Sequence, residues 1–186
     1  FQDEALAQRY RALVERVRAA ERARLGTEGA LSKAVAGAYF KTLYFKDEYE
    51  VGRLYSDGSL ERRLRETFEG DVKISFNLAP PLIARRGPDG RERKMRFGAW
   101  MKPAFGMLAR LKTLRAGTFD VFGYSAHRRT ERALGAEYEA VVEKLLQRLA
   151  TADISQLAAI AGEYEQVKGF SVVKEASLDL VRKRVR

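Results

Sequence analysis

The sequence predicts a mainly α fold, a multi-helix domain with a small antiparallel β-hairpin or short sheet at about residues 72–97. Three observations lead to this. Apolar residues recur at a helical period over most of the chain. One segment, "VKISFNL" at 72–78, changes to strict alternation. Directly after it come two prolines and the turn sequence "GPDG", which end a strand and reverse the chain.

Taken in order, Leu6, Tyr10, Leu13, Val14, Val17 and Leu25 fall near one helical face, and Gly26 follows as a C-terminal stop. A second helical pattern over about 30–55 carries Val35, Tyr39 and Leu43 and ends at Asp57-Gly58, where glycine makes a left-handed turn unstrained. Ser59 is placed to cap a short helix with Leu60, Leu64 and Phe68 on one side, stopped by Gly70. In the strand that follows, Val72, Ile74, Phe76 and Leu78 share a face, and Pro80 and Pro81 end it because neither can donate to a ladder. "LIARR" and "RERKMRF" then flank the turn and are expected to pair, with Met95, Phe97 and Trp100 packing as apolar anchors at the base. Pro103 suits the first turn of a helix bearing Phe105, Leu108, Leu111 and Leu114, closed by Gly117. Ser125 is read as the cap of a longer helix with Leu134, Tyr138, Val141, Leu145 and Leu149 inward. Thr151 is read as the cap of the next, with Ile154, Leu157 and Ile160, and the terminal "RKRVR" is expected to fray.

A chain of 186 residues with 46% hydrophobic and 10% aromatic side chains is long enough to bury a sizeable core. No linker composition or repeat divides it, so residues 1–186 are expected to form one domain. No apolar run approaches the roughly 20 residues of a membrane span, and "FQDEALAQRY" lacks the apolar stretch of a signal peptide, which predicts a soluble, cytoplasmic chain without a membrane partner. The absence of cysteine excludes disulfides, thiolate catalysis and cysteine-ligated clusters within these residues. The start at Phe1 instead of Met suggests a piece of a longer protein.

The net charge of +10 is regional. Residues 71–130 hold 13 basic and 4 acidic residues, so +9 of the excess lies in that third of the chain. Arg85, Arg86, Arg91, Arg93, Lys94 and Arg96 cluster around the turn with only Asp89 and Glu92 among them. A field of that sign draws an anionic partner, and these six residues are the candidate surface for one. The bland alternative is a solvated basic hairpin.

Chemistry is otherwise sparse. The lone histidine, His127, has no orienting partner legible in the sequence, so no catalytic residue is assigned. Asp47, Glu48 and Glu50 are expected on a solvated helix face, and no metal site is assigned to them. The glycines of "GPDG" and "SDGS" are isolated turn residues, not a phosphate-cradling loop. Tyr39, Phe40, Tyr44, Phe45, Tyr49 and Tyr55 are expected to form a broad core-facing surface.

The run "LAPPLIARRGPDGRERKMRFGAWMKPAFGMLARLK", then "FGYSAHRRTERALGAEYE" and "VKGFSVVKEAS", resembles the C-terminal region of the fused indolepyruvate ferredoxin oxidoreductase-like proteins, over a span from the helix around Tyr39 to Glu175. That resemblance implies a parent of the 2-oxoacid:ferredoxin oxidoreductase family. Such enzymes use thiamine pyrophosphate with Mg to decarboxylate a 2-oxoacid, form an acyl-CoA from CoA, and pass electrons through iron–sulfur clusters to ferredoxin. It carries no catalytic, cofactor-binding or metal residue onto this chain. What it implies here is a non-catalytic accessory domain whose partners are other domains of the same polypeptide, with ferredoxin as a further candidate. The reading from a different class is a free-standing basic helical module that binds nucleic acid. The balanced charge of the first and last segments, and the lack of a helix-turn-helix or stacking signature, count against it.

Overall fold

The computed structural model describes residues 3–44, 47–80, 84–85, 87–88, 93–115, 117–124, 126–169 and 172–185. Its elements in chain order are α1 (Glu4–Leu25), α2 (Ala30–Leu43), α3 (Glu48–Ser56), α4 (Ser59–Thr67), β1 (Ser75–Leu78), β2 (Met95–Gly98), α5 (Lys102–Arg110), α6 (Ala126–Gln147), α7 (Ile154–Gly162) and α8 (Val172–Val185). Short 3₁₀ turns precede and follow α5, and another follows α7. The chain is mainly α with one two-stranded antiparallel sheet. It divides into two units, one made of Phe1–Phe45 with Ala126–Arg186 and the other of Lys46–Ser125, so the second is inserted in sequence between α2 and α6.

The first unit is built on α2, which packs against α1, α6 and α7. α1 begins at Asp3, whose carboxylate accepts the Leu6 N–H at 2.8 Å, and stops at Gly26 with φ 76°, the left-handed value anticipated there. α2 has glycine at its cap position and so has no side-chain cap of its own. Glu21 of α1 replaces it. This fully buried carboxylate accepts the N–H groups of Leu31 and Ser32, each at 3.0 Å, and the Ser32 hydroxyl at 2.6 Å. Burial opposes its charge, but the Ser32 hydroxyl and the backbone N–H groups of α2 outweigh it and hold the Glu21 pKa below its ordinary value.

Aromatic rings run through this core. Tyr10 stacks on Tyr39 at 5.7 Å, Tyr39 on Tyr138 at 5.8 Å, and Tyr138 meets Tyr164 edge-on at 4.9 Å. Each hydroxyl finds an acceptor: Ala36 O, Glu139, Ala161 O and Glu137 respectively. Burial, with donation to the Glu139 carboxylate, moves the Tyr39 phenol far above its ordinary value, and burial beside Glu137 pushes Tyr164 up to about 12. On α6 the buried large apolar residues among those described are Leu134, Tyr138, Val142 and Leu145, with Leu149 beyond its end. Val142 replaces the expected Val141 because it lies one turn after Tyr138, and Val141 is only half-buried.

Two expected termini are corrected. Thr151 does not cap α7. Its N–H turns back to Arg148 O at 3.1 Å to close the end of α6, and Asp153 is the cap, accepting the Ser155 N–H at 2.7 Å. The basic tail is helical to Val185 because carboxylates hold it. Arg182 makes two hydrogen bonds to Glu137, at 2.9 and 2.5 Å, and Arg184 reaches Glu163 at 3.2 Å. Cations in the last turn also oppose the helix dipole.

The single helix expected over about 30–55 is two helices, α2 in the first unit and α3 in the second. Asp47 starts α3 by accepting the Glu50 N–H at 2.8 Å, and this break was masked by aromatic residues that keep a helical period across it. α3 and α5 pack closely at Gly52, where a Cβ would lie 2.9 Å from both Leu108 Cβ and Phe105 O, so only glycine permits that approach. α4 starts after Gly58 with φ 76°, so the expected cap Ser59 is its first residue, and Asp57 accepts the Ser59 N–H at 2.9 Å. No residue of α4 is fully buried, and Phe68 beyond it is 56% exposed.

Removing the Glu21 carboxylate by Glu21→Ala leaves the N–H groups at the start of α2 without an acceptor and is expected to cost about 3 kcal/mol in urea unfolding at neutral pH. The sign with pH follows from the depressed folded pKa. The contribution is present in full above the ordinary glutamate range, about 4, and is lost as pH falls through the folded value. Glu21→Gln is therefore expected to show a shallower loss of midpoint on acidification than the parent sequence.

Candidate docking surface

The two-stranded sheet lies where the sequence suggested, but its strands pair differently. β1 pairs β2 in the register Ser75↔Gly98, Phe76↔Phe97, Asn77↔Arg96 and Leu78↔Met95. The partner of the "MRFG" strand is thus "SFNL" and not the expected "LIARR". Beyond the ladder, the Arg93 N–H donates to Arg85 O at 2.8 Å, the described link between the two flanks of the turn. The register is fixed by what Phe76 must bury. Its ring is 4% exposed and meets Phe105 of α5 edge-on at 4.9 Å and Tyr55 of α3 at 5.0 Å. A slip of one residue would turn Phe76 to solvent. The strand expected from Val72 begins only at Ser75, and Val72 is 42% exposed.

Of the expected anchors, Met95 and Phe97 are half-buried, and Trp100 is corrected: it is 69% exposed. The place against Phe105 is already filled by Phe76 and Tyr55, and the 3₁₀ turn at Ala99–Met101 leaves the indole edge-on to Phe97 at 6.0 Å.

The structure places Arg85, Arg93, Lys94 and Arg96 on the surface, all exposed. Arg86 and Arg91 lie outside the described residues, as do Asp89 and Glu92. None of the four described cations forms an ion pair among the described residues. Elsewhere pairing is common: Arg9 with Glu139 at 2.6 Å, Arg18 with Glu28 at 2.6 Å, Lys102 with Glu61 at 2.6 Å, Lys174 with Glu131 at 3.0 Å.

The acidic residues Asp47, Glu48 and Glu50 are not a solvated face. Asp47 and Glu50 are each 4% exposed and Glu48 is half-buried. Arg115 grips Asp47 with two hydrogen bonds, at 2.5 and 2.9 Å, and lies 5.8 Å from the Tyr49 ring. Glu50 pairs with Arg53 at 2.7 Å. The Tyr49 hydroxyl donates to buried Asp120 at 3.1 Å, and burial together with that acceptor pushes its pKa up to about 12. Asp47, with Tyr49 and Asp120, belongs to a structural network that ties the segment after α5 to the start of α3, a role the sequence concealed because Arg115 and Asp120 are distant from it along the chain. His127 lies in the first turn of α6, and its side chain is outside the described residues.

The aromatic set is likewise divided. Tyr39 and Tyr49 are buried, whereas Phe40 is 54% exposed and stacks on Tyr44 at 5.7 Å. With Leu6, Tyr10 and Leu43 these two rings line an apolar groove of about 250 Å³ on the first unit.

An iron–sulfur cluster ligated by cysteine does not fit this chain's residues, which include no cysteine. Among the described residues no three His, Asp or Glu side chains come together as metal ligands. No helix of the described residues is long and apolar enough to cross a membrane.

Phe76→Ala is expected to cost about 3–5 kcal/mol in urea unfolding followed by far-UV circular dichroism, and Trp100→Ala to stay within about 0.5 kcal/mol of the parent sequence. The reverse ranking would return Trp100 to a packing role.

Compared with known proteins, the model of a family of unknown function, DUF6537, matches residues 1–186. No curated protein and no solved structure matches the chain.

Proposed function

We propose that this chain, which belongs to DUF6537, is a non-catalytic accessory domain of a larger indolepyruvate ferredoxin oxidoreductase-like enzyme, and that it docks on an acidic neighbouring domain of the same polypeptide. The parent reaction in this reading is the thiamine-diphosphate-dependent oxidative decarboxylation of a 2-oxoacid to an acyl-CoA, with electrons passed to ferredoxin. The resemblance of the hairpin and helix segments supports the parentage. The observation that carries the docking role is the hairpin's cluster of Arg85, Arg93, Lys94 and Arg96, four exposed cations that form no ion pair among the described residues. Like charges held together raise the free energy of the isolated fold, and an anionic partner relieves that.

The test is Arg93→Glu, Lys94→Glu and Arg96→Glu together in the full-length enzyme, with turnover measured against ferredoxin and against a small artificial acceptor at low and moderate ionic strength. Docking on a neighbouring domain predicts equal losses with both acceptors, smaller at moderate ionic strength because salt screens the reversed charges. A loss confined to ferredoxin, seen mainly in its association rate, would move the surface to the electron acceptor. Unchanged turnover with both would remove the docking role. Turnover of a 2-oxoacid by the chain alone, supplied with thiamine pyrophosphate, Mg, CoA and an acceptor, would overturn the non-catalytic assignment.

A further inference from the structure

The ladder sorts the hairpin into two faces. Phe76 is buried, Phe97 is half-buried, and the two are paired; Ser75, Asn77 and Arg96, on the other side, are exposed. Asn77 lies opposite Arg96, and Ser75 lies opposite Gly98. Lys94 is exposed two residues before Arg96, the interval at which side chains return to the same face.

Trp100 completes this face. A side chain at Gly98 would project toward it, and a Cβ there would lie 3.2 Å from Trp100 Cδ1. The missing side chain leaves the space the indole occupies, at the end of a polar row that continues through Arg96 to Lys94. The indole is braced by Gly98 and by the edge of Phe97, yet 69% of it faces water. A braced ring loses little conformational freedom when it is covered, and Trp and Arg are the types most enriched where protein interfaces concentrate their binding energy. Cations around the ring select a partner of opposite charge.

A single-stranded nucleic acid is the competing anionic occupant. Its binders line a basic groove with successive aromatic rings, whereas this face is an open two-stranded ribbon bearing one indole. A protein surface fits it better.

We infer that the solvent face of the β1–β2 ribbon is the centre of an interface, with Trp100 as its apolar anchor and Arg96 and Lys94 as its charged flank, and that the occupant is an acidic surface of a neighbouring domain with an apolar socket for the indole. This rests on the accessory-domain reading and specifies its contact.

Hydroxyl-radical footprinting reads it directly, through the oxidation rate of Trp100 in this chain alone and in the full-length polypeptide. Covering the indole is expected to slow its oxidation at least about fivefold in the full-length protein. Arg96→Glu with Lys94→Glu should return the rate toward that of the isolated chain, and Gly98→Val, which displaces the indole without deleting it, should do the same. Circular dichroism of the isolated variants checks that each is folded. Equal oxidation of Trp100 in both settings would overturn the inference. If the triple charge reversal still lowered turnover, the accessory-domain reading would survive that outcome, whereas unchanged turnover beside a covered Trp100 would sink the reading's functional role and leave the contact. Protection of Trp100 in the isolated chain by an oligo-dT strand, with none in the full-length protein without it, would assign the face to nucleic acid instead.

Discussion

The first unit depends on one buried charge. α2 packs against α1, α6 and α7, yet it begins at a glycine that cannot cap it. The Glu21 carboxylate of α1 accepts two of its first N–H groups and the Ser32 hydroxyl, so the helix dipole and the donors at its start stabilise an anion that would otherwise be strongly unfavourable at full burial. The site is tight: a Cβ at Gly29 would lie 2.7 Å from Glu21 Oε1. Once α1 and α2 are joined there, the ring column from Tyr10 to Tyr164 has a defined register, because each phenol must reach its own acceptor while its ring stays in contact with the next.

The second unit uses the same logic with different groups. Phe76, Phe105 and Tyr55 form a small aromatic core that takes one face of the ribbon, and the Asp47–Arg115 pair beside Tyr49 and Asp120 ties the chain after α5 to α3. Among the described residues, the ring contacts that hold the ribbon to α3 and α5 come from its Phe76 side. The other side is therefore free to carry an indole and a row of cations, and its residues can change without loss of core packing.

This division explains how the basic segment can be rich in charge at only a small cost to the fold. The cations lie on the face and beyond the end of the ladder, where water screens them, and the buried carboxylates sit elsewhere with their own partners. A surface of that kind suits a contact that is tuned by charge and anchored by one aromatic side chain.

The sequence by itself determined the helical class, the place of the hairpin, the stops at Gly26 and Gly58 and most inward positions of α1 and α6, because these follow from local periodicity and from backbone conformations that glycine adopts without strain. It also located the cation cluster, since charge density along a chain needs no fold to be read. Tertiary structure alone decided the pairing of β1 with β2, the burial of Asp47 and Glu50, the cap supplied by Glu21 and the exposure of Trp100. Each turns on a partner remote in sequence: Phe105 for Phe76, Arg115 for Asp47, and Ser32, eleven residues on, for Glu21. Trp100 was misplaced for the same reason. Hydrophobicity says that an indole gains from burial, but only the packed structure reveals that Phe76 and Tyr55 already fill the space it would need.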